Sequence, residues 1–228
     1  MTLGRAAAAE AMGTALLLAV VVGSGIMGER LAQSNLAVAL LANSIATGAG
    51  LYVLIVIMGP ISGAHFNPAV SWVCVWEARL SVRQGVVYSL SQIGGAFAGV
   101  AAAHAMFGLP IVQVSAHVRP TLGEGFGEVV ATFGLILVIA LASRFRSEAI
   151  PATVAAYITS AYWFTSSTSF ANPAVTLARA MTDTFAGIAP RSLLLFVAAQ
   201  LIGAVAAILF SCWLLRGGEK DAPVLKKN

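Results

Sequence analysis

The chain has 228 residues, 59% of them hydrophobic and only 10% charged, with a formal net charge of +4. Soluble domains carry about 25% charged residues, so this composition and the mean hydropathy of +0.89 exclude an ordinary soluble domain and indicate a membrane protein. The positive balance fits basic residues flanking membrane spans and gives no reason to expect a nucleic-acid partner.

The first apolar segment covers residues 6–27. Arg5 ahead of an apolar run imitates a secretory signal, but Glu10 interrupts its start, so a retained span is expected. The second segment, 35–58, leads into a small, polar loop, 59–65, and then into H-F-N-P-A-V at 65–70. The apolar piece that follows, 68–76, is too short to span, since a helix needs about 20 residues to cross. The third segment, 84–107, carries Gln92 and the glycines Gly94, Gly95 and Gly99. The fourth, 123–143, carries Glu128, and the fifth is 149–165. A loop of Thr and Ser, 165–169, precedes F-A-N-P-A-V at 170–175 and a second short piece, 173–181. The sixth segment, 191–215, carries Gln200, Gly203 and Ala204, and a polar, basic tail, 219–228, closes the chain. The small residues in the third and sixth segments suit close helix packing in lipid.

Six spans put both termini on one side. With the N-terminus cytoplasmic, that side collects nine of the 13 Lys and Arg residues, as the positive-inside rule requires. A multi-pass protein of the cell's inner membrane, both termini cytoplasmic, is expected. Cys74 and Cys212 are isolated, with neither a disulfide pattern nor metal-ligand spacing.

The landmarks recur in order: Glu10 and Glu128, Asn67 and Asn172, Gln92 and Gln200, each pair separated by 105 to 118 residues. The chain therefore divides into a first repeat, 1–115, and a second, 116–218. Each repeat has three spans, so the second inserts upside down, an arrangement that places a site near the bilayer midplane at interrupted helices.

The two Asn-Pro-Ala phrases have a local physical meaning. Proline suits the first position of a helix, where its missing N–H costs nothing. Asn before it is a preferred N-cap. Asn67, Pro68 and Ala69 thus start one half-helix, and Asn172, Pro173 and Ala174 another. Non-helical backbone at membrane depth must be buried by protein or border a water-filled cavity. The loops are therefore expected to dip inward, meet at the midplane, and present two carboxamides to a shared lumen.

On these residues the chain resembles the aquaporins of the major intrinsic protein family. The resemblance covers residues 6–215. It implies an all-α membrane fold of six transmembrane helices plus two re-entrant half-helices in an inverted repeat, assembled as a homotetramer with one pore per protomer. It also implies passive permeation of water and small neutral solutes, without cofactor, metal or catalysis. Glu10 and Glu128 are expected to accept hydrogen bonds from the re-entrant loops. Gly63, Ala64, His65 and Phe170 are expected to line the pore. In most of the family Arg follows the second Asn-Pro-Ala, as part of a constriction; here Val175 does. Counting from the motifs, the other constriction positions fall on Thr47, Ser160 and Ser169. That ring is small, uncharged and without aromatics, so a wide opening is expected, suited to glycerol-like polyols. Val at this position resembles bacterial aquaglyceroporins associated with arsenic resistance, which suggests metalloid hydroxides such as arsenite. Arg179, four residues after Val175 on the same helix face, is expected in the outer vestibule, drawing anions or hydroxylated solutes. The alternatives are an ordinary water-selective aquaporin and an inverted-repeat coupled transporter; no midplane ionisable pair beyond the Glu sites favours the latter.

Overall fold

The computed structural model describes residues 1–119 and 121–216, and among these every regular element is helical. Eight α-helices follow one another: α1 Leu3–Leu31, α2 Leu36–Ser62, α3 Pro68–Trp76, α4 Val82–Met106, α5 Leu122–Phe145, α6 Ile150–Phe164, α7 Pro173–Arg179 and α8 Leu193–Leu215. The order long, long, short, long occurs twice. The expected tail, 219–228, lies outside the described residues.

Local chemistry starts most of these helices. Asn35 Oδ1 accepts from the amides of Ala37 and Val38 at the head of α2. Ser81 with Gln84 and Thr121 with Glu124 form reciprocal capping boxes on α4 and α5. Asn67 and Asn172 cap α3 and α7, each followed by proline at the first helical position.

Two boundaries differ from the sequence expectation. α2 continues through Pro60 to Ser62 and stops at Gly63, whose φ of 93° suits a residue without Cβ. The irregular loop before α3 is therefore only five residues, 63–67. α6 has 15 residues, about 22 Å of helix against a hydrocarbon core of about 30 Å. A 3-10 turn, Ser147–Ala149, precedes it. Five of the helices are long and apolar enough to cross a membrane on their own; α6 is not one of them.

Packing repeats as the elements do. α1 lies against α4 and α2, and α5 against α8 and α6. The halves join through α2 on α6, and through each half-helix on the other half's last long helix, α3 on α8 and α7 on α4. Gly95 and Gly99 let α4 approach α1 so closely that a Cβ at either would overlap the carbonyl of Ala11 or Ala15. Gly203 does the same for α8 against α5 at Val129. Gly94 faces open space and takes no part.

Candidate functional site: a lumen between two half-helices

The half-helices meet end to end. Asn67 Nδ2 donates to the carbonyl of Ala171 at 2.7 Å, and Asn172 Nδ2 donates to the carbonyl of Phe66 at 2.8 Å. Each side-chain oxygen meanwhile accepts from its own helix, Asn67 from Ala69 N at 2.9 Å and Asn172 from Ala174 N at 3.0 Å. One carboxamide thus starts a helix and ties it to the opposite loop. Both asparagines border a lumen of about 220 Å³.

The loops that carry them are strained. Ala64 and Phe66 have φ of 51° and 49°, and their counterparts 105 positions on, Ser169 and Ala171, have 50° and 47°. Side chains rarely adopt this left-handed region, which costs on the order of 1–3 kcal/mol per residue. Two fully buried carboxylates hold the backbone there. Glu10 accepts from His65 N at 3.0 Å and Phe66 N at 2.7 Å. Glu128 accepts from Phe170 N and Ala171 N, both at 2.8 Å. Gln92 and Gln200 complete each network: the Nε2 of Gln92 donates to Glu10 and to Ser71, and that of Gln200 to Glu128 and to Thr176. Ser71 and Thr176 return a hydrogen bond to the carbonyls of Asn67 and Asn172. Ser71 and Thr176 are part of the same 105-residue correspondence, each four residues after its asparagine; that signal is readable in the sequence.

The other pore-lining expectations distribute as follows. Gly63, Ala64, His65, Phe170, Thr47 and Val175 all border the lumen, with Cys74 and Arg79 at the end remote from Thr47. His65 rests against Ser71 Oγ at 3.1 Å and packs edge-on to Tyr88. Pro68, Ala69, Pro173 and Ala174 are buried in the first turns of α3 and α7 and do not reach the lumen. Ser169 is buried beside it, its hydroxyl without a partner. Among the described residues no cluster of three or more His, Cys, Asp or Glu is placed to hold a metal ion.

Ser160 must be corrected. The wall that α6 gives the lumen is Ile150, Val154, Ile158 and Tyr162, a stripe at four-residue spacing. Ser160 lies two positions off that stripe, about 200° around the helix. It is exposed on the outer surface and bonded to its own helix at the Tyr157 carbonyl, 2.7 Å away. Tyr162 takes the expected place: its hydroxyl lies 3.2 Å from Thr47 Oγ1 across the lumen. An aromatic side chain therefore lines the lumen beside Thr47.

Thr47, Tyr162 and Phe170 line the lumen. Beyond it, toward the start of α2, lies a second cavity of about 220 Å³ that shares no lining residue with the first. Arg179 borders it, 3% exposed, its guanidinium carbon 3.5 Å from the centre of the Phe170 ring. Arg179 Nε donates to the carbonyl of Ala186. Arg119, from the connection between α4 and α5, borders the same cavity and lies 5.3 Å from the same ring. Burial pushes its guanidinium below the usual range, countered by Glu124 and Glu128. No sequence signal paired Arg119 with Arg179.

The model of the family described as major intrinsic protein matches residues 1–165. The chain belongs to the major intrinsic protein family. Within that family it is 54% identical to the aquaglyceroporin AqpS of Rhizobium meliloti (strain 1021), over 99% of this chain and 95% of that one. It is 32% identical to aquaporin-2 of Rattus norvegicus over 59% of this chain and 50% of that protein. Its fold is similar to the X-ray structure of the aquaglyceroporin from Plasmodium falciparum, with a TM-score of 0.72 at 21% identity, covering 92% and 95% of the two chains. The family fold of long helices around two half-helices is the one described above.

Proposed function

We propose that this member of the major intrinsic protein family is a passive channel for small uncharged solutes, glycerol-like polyols and water, and that it extends to metalloid hydroxides such as arsenite. The observation that carries the reading is the reciprocal pair of hydrogen bonds at the edge of the lumen, from Asn67 to the Ala171 carbonyl and from Asn172 to the Phe66 carbonyl. Each carboxamide spends one N–H on the opposite loop and keeps its second for a passing solute oxygen. The remaining wall is largely apolar, so a polyol pays little for desolvation except where donors and loop carbonyls replace its water.

Opposed half-helix N-termini place partial positive charge at the pore centre, which disfavours cations. In this reading Thr47, Tyr162 and Val175 form the constriction, none of them arginine, and the support is that all three line the lumen with Phe170. In this reading the two repeats, 1–115 and 116–218, are inverted in the bilayer. The protomers form a homotetramer in the plasma membrane, with both termini cytoplasmic. The 54% identity to a protein named an aquaglyceroporin supports the polyol assignment. The Thr47–Tyr162 contact favours a second reading, a water-selective pore, because it narrows the opening.

Stopped-flow light scattering on proteoliposomes separates the two. Rapid shrinkage followed by glycerol-driven reswelling is expected; water flux without glycerol flux overturns the polyol reading. Val175→Arg is expected to suppress glycerol and arsenite flux while sparing water, and equal loss of all three fluxes sinks the constriction assignment.

A further inference from the structure

Among the described residues the outer cavity is lined by two cationic side chains and no anionic one. Arg119 and Arg179 both border it, and each guanidinium lies within 5.3 Å of the Phe170 ring centre. Among the described residues neither takes part in an ion pair. The carboxylates nearest in effect are already committed. Glu124 closes the capping box of α5 with Thr121, and Glu128 holds the amides of Phe170 and Ala171. Arg119 uses Nη1 on the Ser167 carbonyl at 3.0 Å and on Thr168 Oγ1. Arg179 uses Nε on Ala186. Arg119's Nε and Nη2, and both Nη groups of Arg179, have no partner among the described residues.

Arg179 is 3% exposed and Arg119 is half-buried; a guanidinium largely removed from water without a counter-charge is unfavourable, and two sharing one cavity repel. Phe170 offsets part of this through cation–π contact, but its ring leaves the in-plane N–H donors unspent. Planar guanidinium forks match the paired oxygens of an oxyanion. A cavity of about 220 Å³ has room for such an ion.

We propose that Arg119 and Arg179 form a binding site for one small oxyanion at the outer mouth. The ion takes the open donors of both guanidiniums, with the Thr168 hydroxyl on the same wall. Arg119 and Arg179 border this cavity and not the lumen, so the anion is held at the threshold.

Inorganic phosphate is the probe. Isothermal titration of the purified full chain in detergent, with ionic strength fixed by chloride, is expected to show saturable binding of one phosphate per protomer. Arg119→Gln and Arg179→Gln are each expected to weaken it about tenfold, the loss of a charge-assisted hydrogen bond. Arg191→Gln, a basic residue outside the cavity, is expected to bind like the wild type. If Arg179→Gln does not fold, Arg119→Gln and Arg119→Lys, which alter a connecting segment, decide alone. The proposal is overturned if phosphate does not saturate, or if binding survives Arg119→Gln unchanged. Equilibrium binding in detergent is independent of what the pore conducts, so failure here leaves the channel reading intact and the reverse also holds.

Discussion

At Glu128 one side chain sets the path of a whole loop. Its carboxylate accepts from Phe170 N, Ala171 N and Gln200 Nε2, and Ala171 sits at a φ of 47° that nothing in its own chemistry favours. Hydrogen bonds to a charged group contribute about 1.5–3 kcal/mol each, enough to offset left-handed backbone at two residues. Glu128→Gln removes the charge and turns one acceptor into a donor facing N–H groups. A loss of about 3 kcal/mol or more is expected, read as a lower melting temperature in detergent together with lost flux; wild-type melting would show that other contacts hold the loop. Tyr162 is the residue-scale test of the constriction. Tyr162→Ser is expected to raise glycerol flux relative to water, whereas Ser160→Ala, on the outer face of α6, is expected to leave both as they are. The opposite result would restore Ser160 to the pore.

Element by element, the half-helices are the most locally encoded parts of the fold. Asn172 caps α7 through Ala174 N and Val175 N, and Ala in its place removes a cap that contributes about 1 kcal/mol along with the bond to Phe66. Asn172→Ala is therefore expected to lower stability and solute flux together, while Asn172→Asp retains the cap acceptor and recovers part of the stability. Close helix approach gives a sharper contrast. Gly99 packs on the Ala15 carbonyl and Gly94 on nothing. Gly99→Val is expected to cost more than the roughly 1–3 kcal/mol of ordinary overpacking, because backbone cannot yield. Gly94→Ala is expected to stabilise by up to about 1 kcal/mol through helix propensity. Thermal unfolding of the two variants checks both. The glycine-rich sequence G-G-A-F-A-G marked the right helix without saying which glycine faced its neighbour.

For the whole molecule, most of the architecture is legible in the sequence. Composition set the solvent, apolar segment length located the five long helices while α6 fell short of a span, and the ordered recurrence of Glu, Asn-Pro-Ala and Gln pointed to a repeat. Each is a local or one-dimensional property, and lipid enforces it because unpaired backbone is intolerable there. A homotetramer is expected from native mass spectrometry of the detergent-solubilised chain; a monomer at all concentrations would remove that part of the reading. The sequence by itself determined where the two half-helices begin, since Asn before Pro caps and starts a helix whatever surrounds it, and which carboxylates must be buried. Only the tertiary structure decided that Tyr162 and not Ser160 meets Thr47, because the rotation of α6 about its axis follows from packing against α2 and α5 and its apolar faces look alike in sequence. It alone brought Arg119 and Arg179, 60 residues apart in the chain, onto one aromatic ring: such convergence depends on where connecting segments fold back, and no periodicity records that.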